Sequence, residues 1–264
     1  MGKRHAQNAR ALGWEVTIHD TEWEKVQRDP EADAFSIVVA GDAETDGPFA
    51  AVIVATPASQ HAQFLLQHSA DMPVLVEKPL VLQSSDLDRV AASRLSMVGC
   101  NWRYHADYRD VRESWPFPPV KIHLDCNTDY AQWPGKDYAD PLLECGAHEI
   151  DTLRWLRSGA DLTLVSAGPQ DGYEGAWLQF DTGDRIDLRW NAPPSRRLIA
   201  RWADRPEQAI WPLLGEALEA SYRDELADFL RSVEAGTPST RGATFEDGLA
   251  VLRICEQVRE RIGA

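Results

Sequence analysis

Short apolar runs alternate with helical segments along the first part of the chain. The runs FSIVVA (35–40) and AAVIVA (50–55) are continuous and rich in β-branched residues, as is typical of strands buried on both faces of a parallel sheet. Helical periodicity fills the intervals between such runs. Strands that alternate with helices predict a doubly wound, Rossmann-type α/β domain. Its predicted strands are 15–20, 35–40, 50–55, 74–77 and 96–100, and its predicted helices are 2–12, 22–28, 60–68 and 85–93.

The pattern changes after about residue 115. In the segment 185–190, Ile186, Leu188 and Trp190 alternate with charged residues, and the preceding Asp-Thr-Gly-Asp at 181–184 favours a hairpin turn. Such alternation is typical of an antiparallel sheet with one buried face. We therefore predict an α+β domain with an open, mainly antiparallel sheet. Its predicted strands lie near 120–126, 162–167, 174–180, 185–190 and 197–203, and its helices near 142–157, 216–235 and 245–262.

The two patterns predict two domains. Residues 1–110 form the predicted dinucleotide-binding domain, without an evident first strand, and residues 111–264 form the predicted substrate-binding and oligomerisation domain. The boundary falls within 104–118, beside the Pro-rich stretch 115–119. Helix ends are also signalled: Gly13 and Gly236 follow helices as C′ glycines would, and Thr244 with Asp247 forms a weak capping box.

Charge and composition narrow the classes of partner. The formal net charge is −15, and a surface that negative repels phosphate backbones, so we expect no nucleic-acid partner. No apolar run approaches the roughly 20 residues of a membrane helix, and the polar start of the chain does not have the composition of a signal peptide. None of the four cysteines forms a C-x-x-C pair. We therefore expect reduced thiols and a cytoplasmic location.

Two predicted strands end in residues that could meet a ligand. Ligands of open α/β sheets bind at the carboxyl ends of the strands. Ala55, Thr56 and Pro57 follow one buried strand, with His61 on the next helix; the alternative is a plain strand-to-helix turn. At another strand end, the sequence Val-Glu-Lys-Pro at 76–79 could place the amine of Lys78 beside a substrate hydroxyl, with Pro79 making the turn rigid. The alternative is an exposed lysine in a loop.

A third candidate lies on a predicted helix. Glu144, His148 and Asp151 are spaced i, i+4, i+7 and share one face. A glutamate one turn from a histidine can orient the imidazole for acid–base catalysis. The alternatives are a surface ion pair or a zinc site that includes Cys145.

The acid Asp20 ends the predicted strand EVTIHD. A carboxylate there can accept hydrogen bonds from the ribose hydroxyls of an adenosine and would repel a 2′-phosphate. We therefore expect NAD as cofactor, with NADP less favoured. The alternative is that Asp20 caps the next helix.

Taken together, these segments resemble the glucose–fructose oxidoreductase, inositol dehydrogenase and MocA family. VIVATPASQH, VEKPL, VGCNWRYH at 98–105 and LLECGAHEIDTLRWL at 142–156 are similar to its motifs, and SYRDELADFLRSVEAG with EDGLAVLRICE resembles its C-terminal helices. The similarity covers nearly the whole chain in the right order.

The resemblance implies roles for individual residues. Lys78 would be the catalytic lysine and His148 the base that takes the hydroxyl proton, with Glu144 where many members have Asp. The substrate would also meet Arg103 and Tyr104. The cofactor would be bound by Gly2, Asp20, Ala55, Thr56, Pro57, His61, Glu77 and Asn101. The form Leu-Leu-Glu-x-x-x-His-Glu-Ile-Asp is similar to a branch associated with nucleotide-sugar and surface-polysaccharide metabolism.

The chain departs from the family at its start. Met1-Gly2-Lys3-Arg4-His5 resembles only the end of the family's glycine motif, so the first strand and two glycines have no counterpart. The start could be an internal methionine of a longer gene product, or the chain could be a degenerate member that no longer binds NAD. As a third explanation, the second and fourth strands of the fold could pair directly.

The leading hypothesis is an NAD-dependent oxidoreductase that transfers hydride between nicotinamide and a hydroxyl of a sugar, nucleotide sugar or cyclitol. The alternatives are a non-catalytic sensor or regulator that keeps the fold, and a zinc hydrolase. We also predict a homo-oligomer formed through the sheet of the second domain, with aromatic residues on its outer face. The residues considered for this face are Trp177, Trp190, Trp202 and Trp211.

Overall fold

The structure is a computed structural model. It describes residues 1–20, 36–39, 49–67, 72–87, 90, 93–113, 119–129, 141–158, 161–170, 172, 174–204, 206–212 and 214–263. The predicted helix over 22–28 and most of the Pro-rich stretch at 115–119 lie outside these residues.

The first part of the chain alternates between strands and helices, as the apolar runs predict. Its strands are three or four residues long. Helix α1 ends as predicted, with Gly13 after its C-terminus at a φ of 90°. The elements are α1 (Gly2–Ala11), β1 (Thr17–Asp20), β2 (Ser36–Val39), β3 (Val52–Val54), α2 (Ala58–Gln67), β4 (Val74–Glu77) and β5 (Met97–Gly99).

These parallel strands form two separate sheets. Strand β1 pairs with β2, and β3, β4 and β5 form a second sheet in that order. Among the described strands nothing joins β1 to β3, so the direct pairing offered as a third explanation of the missing first strand is wrong. The residues of β1 are only half-buried or exposed, whereas all four residues of β4 are buried. The carboxyl end of β4 is therefore enclosed, whereas that of β1 is open to solvent.

The second part is built on a six-stranded sheet in the order β11-β10-β6-β9-β8-β7. Its strand pairs are antiparallel except for β6 with β9, which are parallel. The hairpin predicted at 181–184 joins β8 to β9, with Gly183 at a φ of 81°. The strands are β6 (Lys121–Thr128), β7 (Leu164–Pro169), β8 (Gly175–Phe180), β9 (Arg185–Trp190), β10 (Ser195–Arg201) and β11 (Gln208–Ile210).

One face of the six-stranded sheet packs on helices and the other carries charges. Leu124, Ile186 and Leu188 point to the helical side and are almost fully buried. The opposite face holds ion pairs such as Arg189 with Asp125 at 2.7 Å. The fold class predicted from the sequence, a Rossmann-type α/β unit followed by an open, mainly antiparallel sheet, is confirmed. The domain boundary at 110/111 stays a prediction.

The remaining helices connect the two parts. Helix α6 begins at the predicted capping box, in which Thr244 and Asp247 bond each other's backbone N–H groups. A Cβ on Gly248 would lie 2.9 Å from a Leu80 methyl and 3.0 Å from Val98, so glycine allows α6 to pass close above the α/β sheet. The helices are α3 (Ala106–Glu113), α4 (Ala147–Leu156), α5 (Glu216–Ala235) and α6 (Phe245–Ile262).

Two details add to the sequence predictions. Of the helix predicted over 85–93, the described residues show a 3₁₀ turn at Ser84–Leu87, where Ser84 donates both its N–H and its hydroxyl to Glu256 of α6. Helix α3 lies within the stretch 104–118 that was predicted to contain the boundary, and its residues Tyr108 and Val111, at i and i+3, are buried in the core. Within the described residues, no helix is long and apolar enough to cross a membrane.

Candidate active site

The side chain of Lys78 extends from the carboxyl end of β4 toward the second part of the chain. Its Nζ donates to the main-chain carbonyl of Glu144 at 2.8 Å and to the Glu144 carboxylate at 2.9 Å. The Lys78 and Glu144 side chains are 13% and 10% exposed. The ammonium group is thus nearly enclosed and is held by two oxygen atoms of Glu144.

Glu144 lies in a π-helical turn, Leu142–Gly146, that leads directly into α4. Such turns widen a helix by one residue and are frequent at functional sites. Gly146 makes the turn possible here, because a Cβ would lie 2.9 Å from a Leu188 methyl and 3.0 Å from a Leu142 methyl. The turn packs closely against β9. It places the main-chain carbonyl and one carboxylate oxygen of Glu144 within hydrogen-bond distance of Lys78.

His148 follows Glu144 by four residues on α4. Its side chain is buried, and its Nδ1 is enclosed and has no hydrogen-bond partner among the described residues. Burial, followed by the positive charges of Lys78 and Arg196, lowers the pKa of His148 well below its ordinary value. The imidazole is therefore neutral at pH 7 and able to accept a proton.

The acid on this helix has a different partner from the one the spacing predicts. Glu144 was expected to orient His148, but its carboxylate binds Lys78. Asp151, the third residue of the stripe, binds Arg103. Glu144 and Lys78 therefore form an ion pair, and His148, on the helix that follows, is an uncharged base.

Arg196 is the second positive charge that acts on His148. It projects from β10, lies 2.9 Å from the Glu149 carboxylate and stacks over the Trp102 ring at 4.1 Å. A guanidinium fixed between an acid and an aromatic ring keeps its charge in place beside the imidazole. No sequence pattern pointed to Arg196, because it comes from a strand more than forty residues beyond the helix.

The turns after β3 and β4 are joined by His61. Its Nε2 lies 3.0 Å from the carbonyl of Thr56 and its Nδ1 lies 2.9 Å from the carbonyl of Pro79. The ring is almost fully buried. His61 thus fixes the two strand ends relative to each other, and its contact with a cofactor stays a prediction. The peptide bond between Lys78 and Pro79 is cis.

Gly2 and Asp20, both predicted to bind the cofactor, lie at the start of α1 and at the end of β1. A Cβ on Gly2 would be 3.8 Å from the Cβ of Ala55, so the first turn of α1 approaches the end of β3. Asp20 is exposed at the end of β1. Helix N-termini present free N–H groups that suit a phosphate, and a strand-end acid suits a ribose.

The three residues Asn101, Arg103 and Tyr104 have internal partners. Arg103 binds Asp151 through two nitrogens at 2.6 and 2.8 Å. Asn101 donates to Ser221 at 2.8 Å, and Tyr104 donates to Asp228 at 2.7 Å. These side chains therefore join a buried turn to α4 and α5. The cofactor and substrate contacts that the resemblance implies for them stay predictions.

The zinc alternative lacks a ligand set in the described part of the chain. No three His, Cys, Asp or Glu side chains come together there as a group that could hold a metal. Cys145 is buried, and burial raises its pKa, which favours the thiol over the thiolate that binds metals.

This chain is similar to known proteins in both its sequence and its fold. No family model matches the chain. The rhizopine catabolism protein MocA of Rhizobium meliloti is 24% identical over 258 residues, which cover 84% of this chain and 78% of that protein. An inositol 2-dehydrogenase of Cereibacter sphaeroides is 26% identical over 260 residues, covering 81% and 76%.

Two solved structures have closely similar folds. A probable dehydrogenase from Thermotoga maritima superposes with a TM-score of 0.83 at 19% identity, over 99% of this chain and 93% of that one. A myo-inositol dehydrogenase from Lactobacillus casei, in complex with NAD(H) and myo-inositol, gives 0.76 at 18% identity, over 98% and 91%. The fold of this chain is therefore that of a Rossmann-type dehydrogenase. The sequence relatives agree with the fold: over most of its length the chain is similar to MocA and to inositol 2-dehydrogenases.

Proposed function

We propose that this protein is an NAD-dependent oxidoreductase that acts on a hydroxyl of a sugar, nucleotide sugar or cyclitol. The observation that carries the proposal is the placement of Lys78 and His148. The Lys78 ammonium binds Glu144 in the turn that leads into the His148 helix, and its charge acts on the imidazole. This contact supports a site in which both groups meet one substrate hydroxyl.

The residues at the strand ends fit a dinucleotide. The approach of Gly2 to Ala55 leaves the first turn of α1 beside the end of β3, and Asp20 is exposed at the end of β1. Gly2 would meet the pyrophosphate through its backbone, Asp20 the ribose hydroxyls, and Thr56 and Pro57 the part of the cofactor nearest β3. When bound, the nicotinamide supplies the acceptor for the hydride of the substrate.

The protein's own groups would then handle the proton. His148, neutral at pH 7, would accept the proton of the substrate hydroxyl, and the Lys78 ammonium would donate a hydrogen bond to the same oxygen. Glu144 would hold the Lys78 side chain in place through its two contacts.

A direct test combines cofactor binding with turnover. NAD binding would be measured by calorimetry, and NADH formation would be followed with myo-inositol, simple sugars and nucleotide sugars. We expect Lys78→Ala and His148→Asn to abolish turnover, and Lys121→Ala, an exposed lysine at the start of β6, to retain it. A second protein would carry an added strand and glycine-rich turn ahead of Met1. If neither form binds NAD or NADP, the proposal fails.

The split sheet favours one other function, a non-catalytic sensor or regulator with weakened cofactor binding. Strands β1 and β3 have no partner between them among the described strands, so the adenosine side of the cofactor site is less firmly built than the side next to Lys78. A regulator would bind a sugar by calorimetry but show no turnover in either form of the protein. Turnover by the form with the added strand would rule it out.

We further propose that the outer face of the six-stranded sheet joins two copies of the chain. Trp211 is 60% exposed there, and Trp177 is half-buried beneath Arg185. Trp202 is buried, so only part of the predicted aromatic set is available to a partner. Self-complementary faces of this kind suit a two-fold dimer. Size-exclusion chromatography with light scattering would show a dimer or tetramer, and a monomer would contradict the proposal.

A further inference from the structure

A buried histidine and a buried glutamate join α1 to the end of β4. His5 lies in the first turns of α1, and its Nε2 is 2.6 Å from Oε1 of Glu77. The two side chains are 2% and 9% exposed. Glu77 immediately precedes Lys78 in the chain, so this contact acts on the backbone that carries the proposed catalytic lysine.

The carboxylate of Glu77 lies against the neighbouring strand on its other side. A Cβ on Gly99 of β5 would lie 3.2 Å from Oε2 of Glu77, so glycine at this position leaves the room that the carboxylate takes up. Burial alone would raise the pKa of Glu77, but the His5 hydrogen bond and the nearby charges of His5 and Lys78 lower it below its ordinary value. Glu77 is therefore an enclosed anion in a fixed orientation.

A second buried carboxyl lies close to this pair. Glu225 of α5 is 1% exposed, and neither of its oxygens has a hydrogen-bond partner among the described side chains. Burial, with the charge of Glu77 next, raises the pKa of Glu225 well above its ordinary value. Glu225 is therefore neutral, and the negative charge of this cluster stays on Glu77, where His5 binds it.

We propose that His5 is a positioning residue for Lys78 and acts through Glu77. This rests on the proposed function, because it assigns His5 to the lysine of that site. Because His5 binds the Glu77 side chain beside Gly99, the peptide unit between Glu77 and Lys78 is held in one orientation. The Nζ then reaches the Glu144 carbonyl and carboxylate. Without His5, Glu77 would be an unpaired buried anion, and relieving it would move the backbone at Lys78.

Three variants separate this role from simple docking of α1. His5→Leu fills the space but removes the donor. His5→Gln restores an amide N–H near the position of Nε2. Arg4→Ala is the matched control, because Arg4 joins the same helix to α5 through Glu219, at 2.9 Å, and does not contact Glu77.

We expect His5→Leu to lower kcat by about 10- to 100-fold, the loss typical of a catalytic group that is misplaced by about 1 Å, with little change in KM. His5→Gln should recover most of that loss, and Arg4→Ala should leave kcat close to the wild-type value. An unchanged kcat in His5→Leu overturns the proposal. So does an equal loss in His5→Leu and Arg4→Ala, since that would show only weakened docking of α1.

A second readout needs no turnover. The ¹³Cε resonance of Lys78 can be followed in lysine-labelled protein and assigned with Lys78→Arg. We expect it to move toward the exposed lysines in His5→Leu and to stay in place in the other two variants. If the wild type shows no turnover while this shift appears, the proposed function fails and the positioning role stands. If the resonance does not move, the positioning role fails by itself. The chain has few lysines, which keeps the spectrum simple: Lys3, Lys25, Lys78, Lys121 and Lys136.

Discussion

The Arg103–Asp151 pair allows the sharpest prediction about the internal contacts around the site. Both side chains are nearly enclosed, at 5% and 2% exposed, and two hydrogen bonds of 2.6 and 2.8 Å join them. Asp151→Ala would leave the guanidinium buried with only the more distant Asp247 carboxylate, at 3.2 Å, to balance it. Removing one partner of a buried pair typically costs about 3–5 kcal/mol. We expect the free energy of unfolding to fall by that amount, and Tm to fall by roughly 10 °C.

The assay is denaturant unfolding followed by tryptophan fluorescence, with the double variant Arg103→Met/Asp151→Leu as control. Replacing both partners with apolar residues of similar size is often neutral, so the double variant should be more stable than Asp151→Ala. A loss below about 1 kcal/mol in Asp151→Ala, the range of an exposed ion pair, would refute the reasoning. If an Arg103→Met variant had wild-type stability but a raised KM for the sugar, this would support a direct contact between Arg103 and the substrate.

Three further predictions concern single groups. Because the pKa of His148 is lowered, the imidazole stays neutral at mildly acidic pH. We therefore expect kcat/KM for oxidation to stay constant as the pH falls to 6.5 and to decline only at lower pH. A decline centred at pH 6.5 or above would contradict the lowered pKa. The pKa of Glu225 is raised in the folded protein, so ionising it costs stability as pH rises above its unfolded value of about 4.3. Glu225→Gln should thus stabilise the protein at pH 8 more than at pH 4 in urea unfolding, and an equal effect at both would refute the burial argument. Gly146→Ala would bring a methyl group to 2.9 Å from Leu188. We expect thermal unfolding to show a stability loss of about 1–3 kcal/mol, together with a lower kcat. Wild-type stability and kcat would show that the π-helical turn can adjust to the methyl group.

Much of the fold followed from local patterns. The β-branched runs of the first part became parallel strands, and the alternation of Ile186 and Leu188 with charged neighbours became a sheet with one buried face. The capping box at Thr244 began α6 as predicted. These features depend on neighbours in sequence, so a single chain carries the information.

The parts that could not be predicted depend on contacts between distant residues. The partner of Glu144 is Lys78, 66 positions away, and helical spacing shows only neighbours such as His148. His5 and Glu77 are 72 positions apart, with no pattern to connect them. The partner of Arg103 is Asp151, 48 positions away on another element. Ser84, next to the helix predicted at 85–93, is bound by Glu256 of α6, 172 positions away.

The central claim is that Lys78 and His148 act on one hydroxyl beside a nicotinamide. A crystal structure of the protein with NADH and its best-turned-over sugar or cyclitol would test this most directly. We expect one substrate oxygen within about 2.6–3.2 Å of both the Lys78 Nζ and a ring nitrogen of His148, with the nicotinamide against the same carbon. A substrate that contacts one of these groups and leaves the other facing a different crevice would contradict the account.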